Sequence, residues 1–322
     1  MIVEFGEDGM RLKKIIVGRC VGMCAPLVLT LALGFGAFQG STFAQSPQTA
    51  EPANVAVGAQ YDTTHVYVAP EDFVRFVTSL LATFGGTATK QGVFTVTPTQ
   101  SSTMSQLVLT PVGSISVFGF KTPVPYPFGS ERTGYLVTDM DEAIRAAKAT
   151  GADIQVAPFN DPIGRDAIIQ WPGGVNTQLY WHTTAPSYIP LQAVPENRVY
   201  VSSDRVDAFV RSFLAFSHGS VISDEDRALG VEIGRPSESY RRVRIESKFG
   251  KLVALVTDGH LPYPYGREMT GYEVTNLVET LAKAKAAGAD VLIPPYKTSE
   301  RSAAIVRFPG GYIAEIHSVA KR

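Results

Sequence analysis

PYPFGSERTGYLVT, Pro125 to Thr138, recurs as PYPYGREMTGYEVT, Pro262 to Thr275, with ten of fourteen positions identical. Tyr126, Gly129, Glu131 and Gly134-Tyr135 return as Tyr263, Gly266, Glu268 and Gly271-Tyr272. The offset of 137 residues persists to Pro172-Gly173-Gly174 against Pro309-Gly310-Gly311. Upstream it is 133, pairing His65-Val66-Tyr67-Val68 with Arg198-Val199-Tyr200-Val201, so one four-residue indel between Gly86 and Gly113 reconciles the halves. Solenoid units recur every ~20–50 residues, so this period marks a tandem domain. A chain of 322 residues has room for two such domains.

Each half divides again. Thr64–Val68 reads as a strand, and Phe73, Phe76, Val77, Leu80, Leu81 and Phe84 then fall on one helical face that Gly85-Gly86 closes. Strands are expected at Val93–Thr97, Gln106–Thr110 and Ser114–Phe118. After the PYPFG loop the order repeats. Gly134–Thr138 is a strand, Asp139 an N-cap and Met140–Thr150 a helix, followed by strands at Ile154–Ala157, Ala167–Trp171 and Asn176–Trp181. The second half gives strands at Arg198–Val201, Tyr240–Ser247 and Lys251–Val256, with a helix over Arg205–Ser217. Its last quarter gives Gly271–Thr275, the helix Val278–Ala287, and strands at Val291–Ile293, Ala303–Phe308 and Tyr312–His317. The architecture is α+β: four β-α-β-β-β modules, two per domain. Alternation places Val66 and Val68 against the helix and His65 and Tyr67 on the other face, which would curl around a cleft.

Residues 1–44 read as a secretion signal. Arg11, Lys13, Lys14 and Arg19 precede an apolar run from Val21 to Phe38, and Thr42-Phe43-Ala44 offers small residues for cleavage after Ala44. An uncleaved membrane anchor is the alternative. The expected location is periplasmic or secreted, with no stable membrane association once the signal is removed. A tether follows over 45–57, then domain one over 58–186, a linker over 187–197 and domain two over 198–320. Both cysteines, Cys20 and Cys24, lie in the leader, so the rest of the chain has no disulfide, thiolate or Cys-zinc chemistry. A formal charge of −1 gives no nucleic-acid footprint. The one dense basic run, Arg241-Arg242-Val243-Arg244, reads as the wet face of a strand, with anion binding as the alternative.

TGYLVTDMDEAIRAAKATGAD with GRDAIIQWPGGVNTQLYW, and TGYEVTNLVETLAKAKAAGAD with SAAIVRFPGGYIAEIHS, resemble the vicinal oxygen chelate superfamily. That superfamily holds glyoxalase I, bleomycin-resistance proteins and extradiol dioxygenases, and the resemblance runs from Tyr61 to Ser318. It implies, in metal-using members, four inward side chains on one divalent ion. The matching positions here are His65, a residue near Ser116, Arg132 and Gln178 in domain one, and Arg198, a residue near Val253, Met269 and Glu315 in domain two. The sequence departs from the pattern at several of these. Arginine stays protonated and has no lone pair to give a cation. His65 and Gln178 are the remaining candidate ligands of domain one, and Glu315 that of domain two. A relocated set of Glu273, Glu315 and His317 is a further option.

The leading reading is a protein without cofactor, binding a small organic molecule in its clefts as bleomycin-resistance-type members do. The candidate pocket residues are His65, Tyr67, Arg132, Gln178 and Tyr180 in domain one, and Arg198, Tyr200, Glu273, Glu315 and His317 in domain two. Glu273 is expected to pair with Arg198. A second reading is a metal-dependent lyase, isomerase or dioxygenase using Zn, Fe, Ni or Mn at His65 and Gln178. A third is a structural or interaction module whose clefts are filled by their own side chains. Glu131 and Glu268 are general-base candidates whose alternation points them away from the clefts. Pairing inside one chain makes a monomer the expected state.

Overall fold

The computed structural model describes residues 52–58, 60, 63–129, 131–184, 190 and 193–320. The expected secretion signal and part of each linker lie outside these residues. The first module contains β1 (Thr64–Tyr67), α1 (Phe73–Phe84), β2 (Thr87–Ala88), β3 (Gly92–Phe94), β4 (Thr103–Thr110) and β5 (Gly113–Phe120). The second contains β6 (Arg132–Leu136), α2 (Met140–Ala149), β7 (Asp153–Asn160), β8 (Gly164–Gln170) and β9 (Asn176–His182). The third contains β10 (Glu196–Val201), α3 (Val206–Ser217), β11 (Ser220–Leu229), β12 (Ser239–Ser247) and β13 (Gly250–Val256). The fourth contains β14 (Met269–Glu273), α4 (Leu277–Ala286), β15 (Asp290–Lys297), β16 (Arg301–Arg307) and β17 (Ile313–Val319).

The strands form two mixed sheets, ordered β2-β4-β5-β1-β6-β9-β8-β7 and β11-β12-β13-β10-β14-β17-β16-β15, with β3 added beside β4. In each, the first strands of the paired modules run antiparallel at the centre: β1 beside β6, β10 beside β14. Each first strand also runs parallel to the last strand of its own module. Local chemistry explains the helices. Asp139 and Asn276 cap α2 and α4 through side-chain acceptors of Glu142 N and Glu279 N.

Val66, Val68, Phe73, Phe76 and Leu80 share one core, as alternation predicts. That core is completed by the far end of the chain, with Leu277, Leu281 and Ala284 of α4 and Phe308 and Ile316 beside it. Phe76 meets Tyr312 edge-on at 5.6 Å between ring centroids. The second core joins the middle modules: Ala143 and Ala147 of α2 and Trp171 pack with Phe209, Phe213 and Phe216 of α3. The helices therefore lie between the two sheets, and each sheet turns its other face outward. Module one completes module four, and module two completes module three.

Two sequence expectations are corrected. The stretch 45–57 is not a free tether along its described part. Val55 is 0 % exposed in the second core, its carbonyl accepts from Thr138 N, and Ala56 bridges to Val137. The linker 187–197 ends early, because Glu196 and Asn197 already belong to β10. Two strands were not expected, the short β2 and β11; the β11 sequence SVISDEDRAL alternates poorly and is largely exposed at a sheet edge.

Candidate functional site

In domain one, register builds the site. His65 sits opposite Arg132 and beside Ser116, while Gly134 on β6 faces Gln178 on β9. His65 Nδ1 and Gln178 Oε1 are 3.0 Å apart, and His65 is 3 % exposed. The imidazole lies over Gly134, where an added Cβ would come within 2.5 Å of the ring. Tyr180 stands 5.8 Å from the same ring. Arg132 is buried with its guanidinium 5.5 Å from the Tyr67 ring centroid and 5.4 Å from that of Phe128. Its Nη2 donates to the Pro127 carbonyl, while Nε and Nη1 have no hydrogen-bond partner among the described residues. Tyr67 stacks on Phe118 at 5.3 Å and on Phe120 at 5.9 Å. Burial pushes its phenol up to about 12 against the opposing pull of the Arg132 charge.

The five candidate residues of domain one are thus brought together. Phe128, from the PYPFG loop, packs with Phe120 and Ile168. The loop's two aromatic residues have opposite fates: Phe128 is buried, whereas Tyr126 is 79 % exposed. Gly129, at φ +97°, lets the chain turn back after Phe128. Domain two repeats the device, with Tyr265 buried and Tyr263 exposed.

The donor set of domain one does not fit a divalent cation. One imidazole and one amide oxygen already satisfy each other, and the third position carries a fixed positive charge. In domain two the misfit is larger. Arg198 binds Glu196 at 2.8 Å and Glu315 at 3.1 Å. Arg301 binds the same two carboxylates, at 2.9 and 3.3 Å. All four side chains are buried or nearly so, and the two arginines hold Glu196 and Glu315 well below the usual carboxylate range, against the cost of burial. Tyr296 donates to Glu315 Oε2, and His317 Nδ1 lies 3.2 Å from Glu315 Oε1. Met269 and Val253, at the other matching positions, pack in apolar clusters.

Sequence reasoning placed Glu273 beside Arg198; the structure places it at the surface, 3.5 Å from Lys251. The partner of Arg198 that was missed is Glu196, two residues away and on the same face of β10. Its Glu-x-Arg alternation was the available signal, hidden by assignment to the linker. Arg301 and Glu300 were also missed. Arg244 pairs with Glu300, so the basic run is tied into ion pairs, Arg242 with Glu232 and Arg241 with Asp224. Tyr200 packs between the two apolar clusters of the cleft.

An open cavity of about 560 Å³ lies in domain two beside the arginine–glutamate network. His317, Arg301, Glu196, Arg244, Lys251 and Glu273 line it, with Ser299 and Glu300 at one side. Its size falls within the ~300–1,000 Å³ of small-molecule sites, and its walls offer both donors and acceptors.

Glu131 and Glu268 face neither cleft, as alternation predicted. They cross the domain junction: Glu131 Oε1 accepts from Thr270 N and Oγ1 and from Tyr312 Oη, and Glu268 Oε1 accepts from Thr133 N and Oγ1.

No family model matches the chain, and no curated protein is significantly similar to it in sequence. Solved structures do share its fold. A triple mutant of 4-hydroxymandelate synthase from Streptomyces coelicolor superimposes with a TM-score of 0.56 at 12 % identity, over 82 % of this chain and 94 % of that one. A 2,2',3-trihydroxybiphenyl 1,2-dioxygenase from Sphingomonas wittichii gives 0.51 at 12 % identity, over 81 % and 92 %. A fusion of a xylose isomerase-like TIM barrel with a 4-hydroxyphenylpyruvate dioxygenase gives 0.51 at 12 %, over 84 % of this chain and 50 % of that one. The chain therefore has the vicinal oxygen chelate fold, as two tandem domains.

Proposed function

We propose that this protein is an exported, metal-independent binder of a small polar organic molecule, and that the ligand sits in the domain-two cavity. The observation that carries the reading is the 560 Å³ space against His317 and Arg301, beside a neutralised arginine–glutamate floor. Such a floor presents fixed hydrogen-bonding groups without a free charge that a ligand would have to neutralise.

A thermal-shift screen of small polar metabolites tests this, because a ligand stabilises the folded state it binds. At least one compound should raise the unfolding temperature of the native protein and fail to do so in His317→Ala and in Ser299→Trp. A shift that survives both substitutions, or no shift across the library, overturns the assignment. The competing reading is a metal-dependent lyase, isomerase or dioxygenase centred on His65 and Gln178, the last being the activity for which two of the fold neighbours are named. Near-stoichiometric Fe, Zn, Ni or Mn in protein purified without chelator would replace the binding reading with that one. Export is tested by sequencing the N-terminus of the protein from the cell envelope, with cleavage after Ala44 expected. The proposed monomer is tested by light scattering.

A further inference from the structure

We propose that the cavity between the two domains is a second ligand site, built for a small zwitterion with an ammonium and a carboxylate, as in a free amino acid. The cavity measures about 480 Å³, and one stretch of the repeat lines it twice. Gly129, Glu131 and Gly173 of domain one recur as Gly266, Glu268 and Gly310 of domain two. Two half-buried carboxylates thus share one space. Each is fixed from across the junction. Glu131 Oε1 accepts from Thr270 N and Tyr312 Oη, and Glu268 Oε1 accepts from Thr133 N and Oγ1. These bonds all end on Oε1, so Oε2 of each remains for a ligand donor.

The repeat is broken at one place on the wall. Arg132 lines the cavity, and its counterpart at the same offset is Met269. Arg132 is 2 % exposed and bonds the Pro127 carbonyl through Nη2, which leaves Nε and Nη1 without a partner among the described residues. A buried cation with unmade bonds is costly, and an acceptor brought by a ligand would complete it. Arg267, exposed and 5.8 Å from the Tyr263 ring centroid, is the fourth charged group on the wall. Two charges of each sign cancel. A lone cation or a lone anion would meet a like charge there, whereas a zwitterion meets an opposite charge at both ends. A hard divalent ion fits worse. Calcium takes about 6–8 oxygens, and no three His, Cys, Asp or Glu side chains gather to hold an ion among the described residues.

An ammonium between Glu131 and Glu268 would make charge-assisted bonds to both Oε2 atoms, with the ligand carboxylate toward Arg132 and Arg267. Burial raises both carboxyls, hydrogen bonds from the threonines and Tyr312 oppose the rise, and the ammonium adds to that opposition. The site shares no lining residue with the domain-two cavity, so it is independent of the ligand proposed there.

Titration calorimetry of the full chain at about pH 7, where an α-ammonium is charged, tests this with the free L-amino acids, each compared with its amide and its N-acetyl form. At least one free amino acid should bind. Its amide and its N-acetyl form should each bind more weakly by roughly tenfold or more, the loss of one charge-assisted contact. Binding should move the backbone amide resonances of Gly129, Gly173, Gly266 and Gly310 and leave those of Ser299 and His317 in place. Glu131→Gln/Glu268→Gln keeps an acceptor for Thr133 and Thr270 and should abolish binding. Arg132→Met copies the second repeat and should shrink the preference for the free acid over its amide. No bound amino acid, equal binding of the amide and N-acetyl forms, or unchanged binding in the glutamine variant overturns the site. Calcium bound at the two glutamates in place of an amino acid overturns it too. Should the double variant fail to fold, the resonance map and the two derivatives decide, since both need only the native chain. The domain-two screen is repeated in the glutamine variant, which keeps this site out of its readout, so either proposal can fail alone.

Discussion

At the scale of single residues, the network under the domain-two cavity is the most sensitive point. Arg198 and Arg301 face Glu196 and Glu315, two charges of each sign with little water. Arg198→Met would leave one arginine against two buried carboxylates. Breaking a buried pair by removing one partner costs about 3–5 kcal/mol, and urea unfolding should read a loss of that size. The network also sets an acid limit. Glu196 and Glu315 titrate below the ordinary carboxylate value in the folded state, so their contribution is complete above ~4.3 and is lost as pH falls through the depressed values. Acid unfolding of Glu315→Gln should consequently be shallower below pH ~4 than that of the native chain. In domain one, Gly134→Ala drives a methyl into the His65 ring and should cost about 1–3 kcal/mol. That Arg132 and Arg198 cannot ligate a cation was legible in the sequence, because a guanidinium has no lone pair to give. Glu196 and Arg301 were not, since both sit just outside the strand limits that apolar alternation marks.

Elements obey local rules where those rules are strong. Asp139→Ala removes the acceptor of Glu142 N and should lower stability by about 1 kcal/mol. The PYPFG loop splits its two aromatics between water and core, which sets a contrast for mutagenesis. Phe128→Ala should cost about 3–5 kcal/mol, while Tyr126→Ser should stay within about 0.5 kcal/mol. Denaturant titration of the two variants side by side reads this difference. The repeat identified the loops, and Pro and Gly identified them as turns, but nothing in the string told which ring faces inward. For β11 the failure is different: Asp224, Glu225 and Asp226 look like a loop because the strand is an edge with little to bury. The same limit hid the docking of Val55, whose one buried side chain carries no period.

For the whole molecule, the duplication was plain in the sequence and the pairing of its halves was not. A repeat says that two domains exist; it does not say that the helix face of one is covered by the other. Phe209, Phe213 and Phe216 lie on the helix expected over Arg205–Ser217, yet Trp171 from the other domain meets Phe213 at 5.6 Å and Phe216 at 5.1 Å. The two halves expressed separately, divided within 187–193, should therefore associate or aggregate, each exposing a large apolar face. Size-exclusion chromatography of the fragments alone and mixed checks this, with a monodisperse free half as the contrary result.

The pairing of α1 with α4 also orders events in time. Phe76 and Leu80 leave the ribosome before the residues that cover them, Leu281, Phe308 and Ile316, which belong to the other repeat. A nascent chain must hold that apolar stripe uncovered until the second repeat is made, and closing so distant a contact is slow.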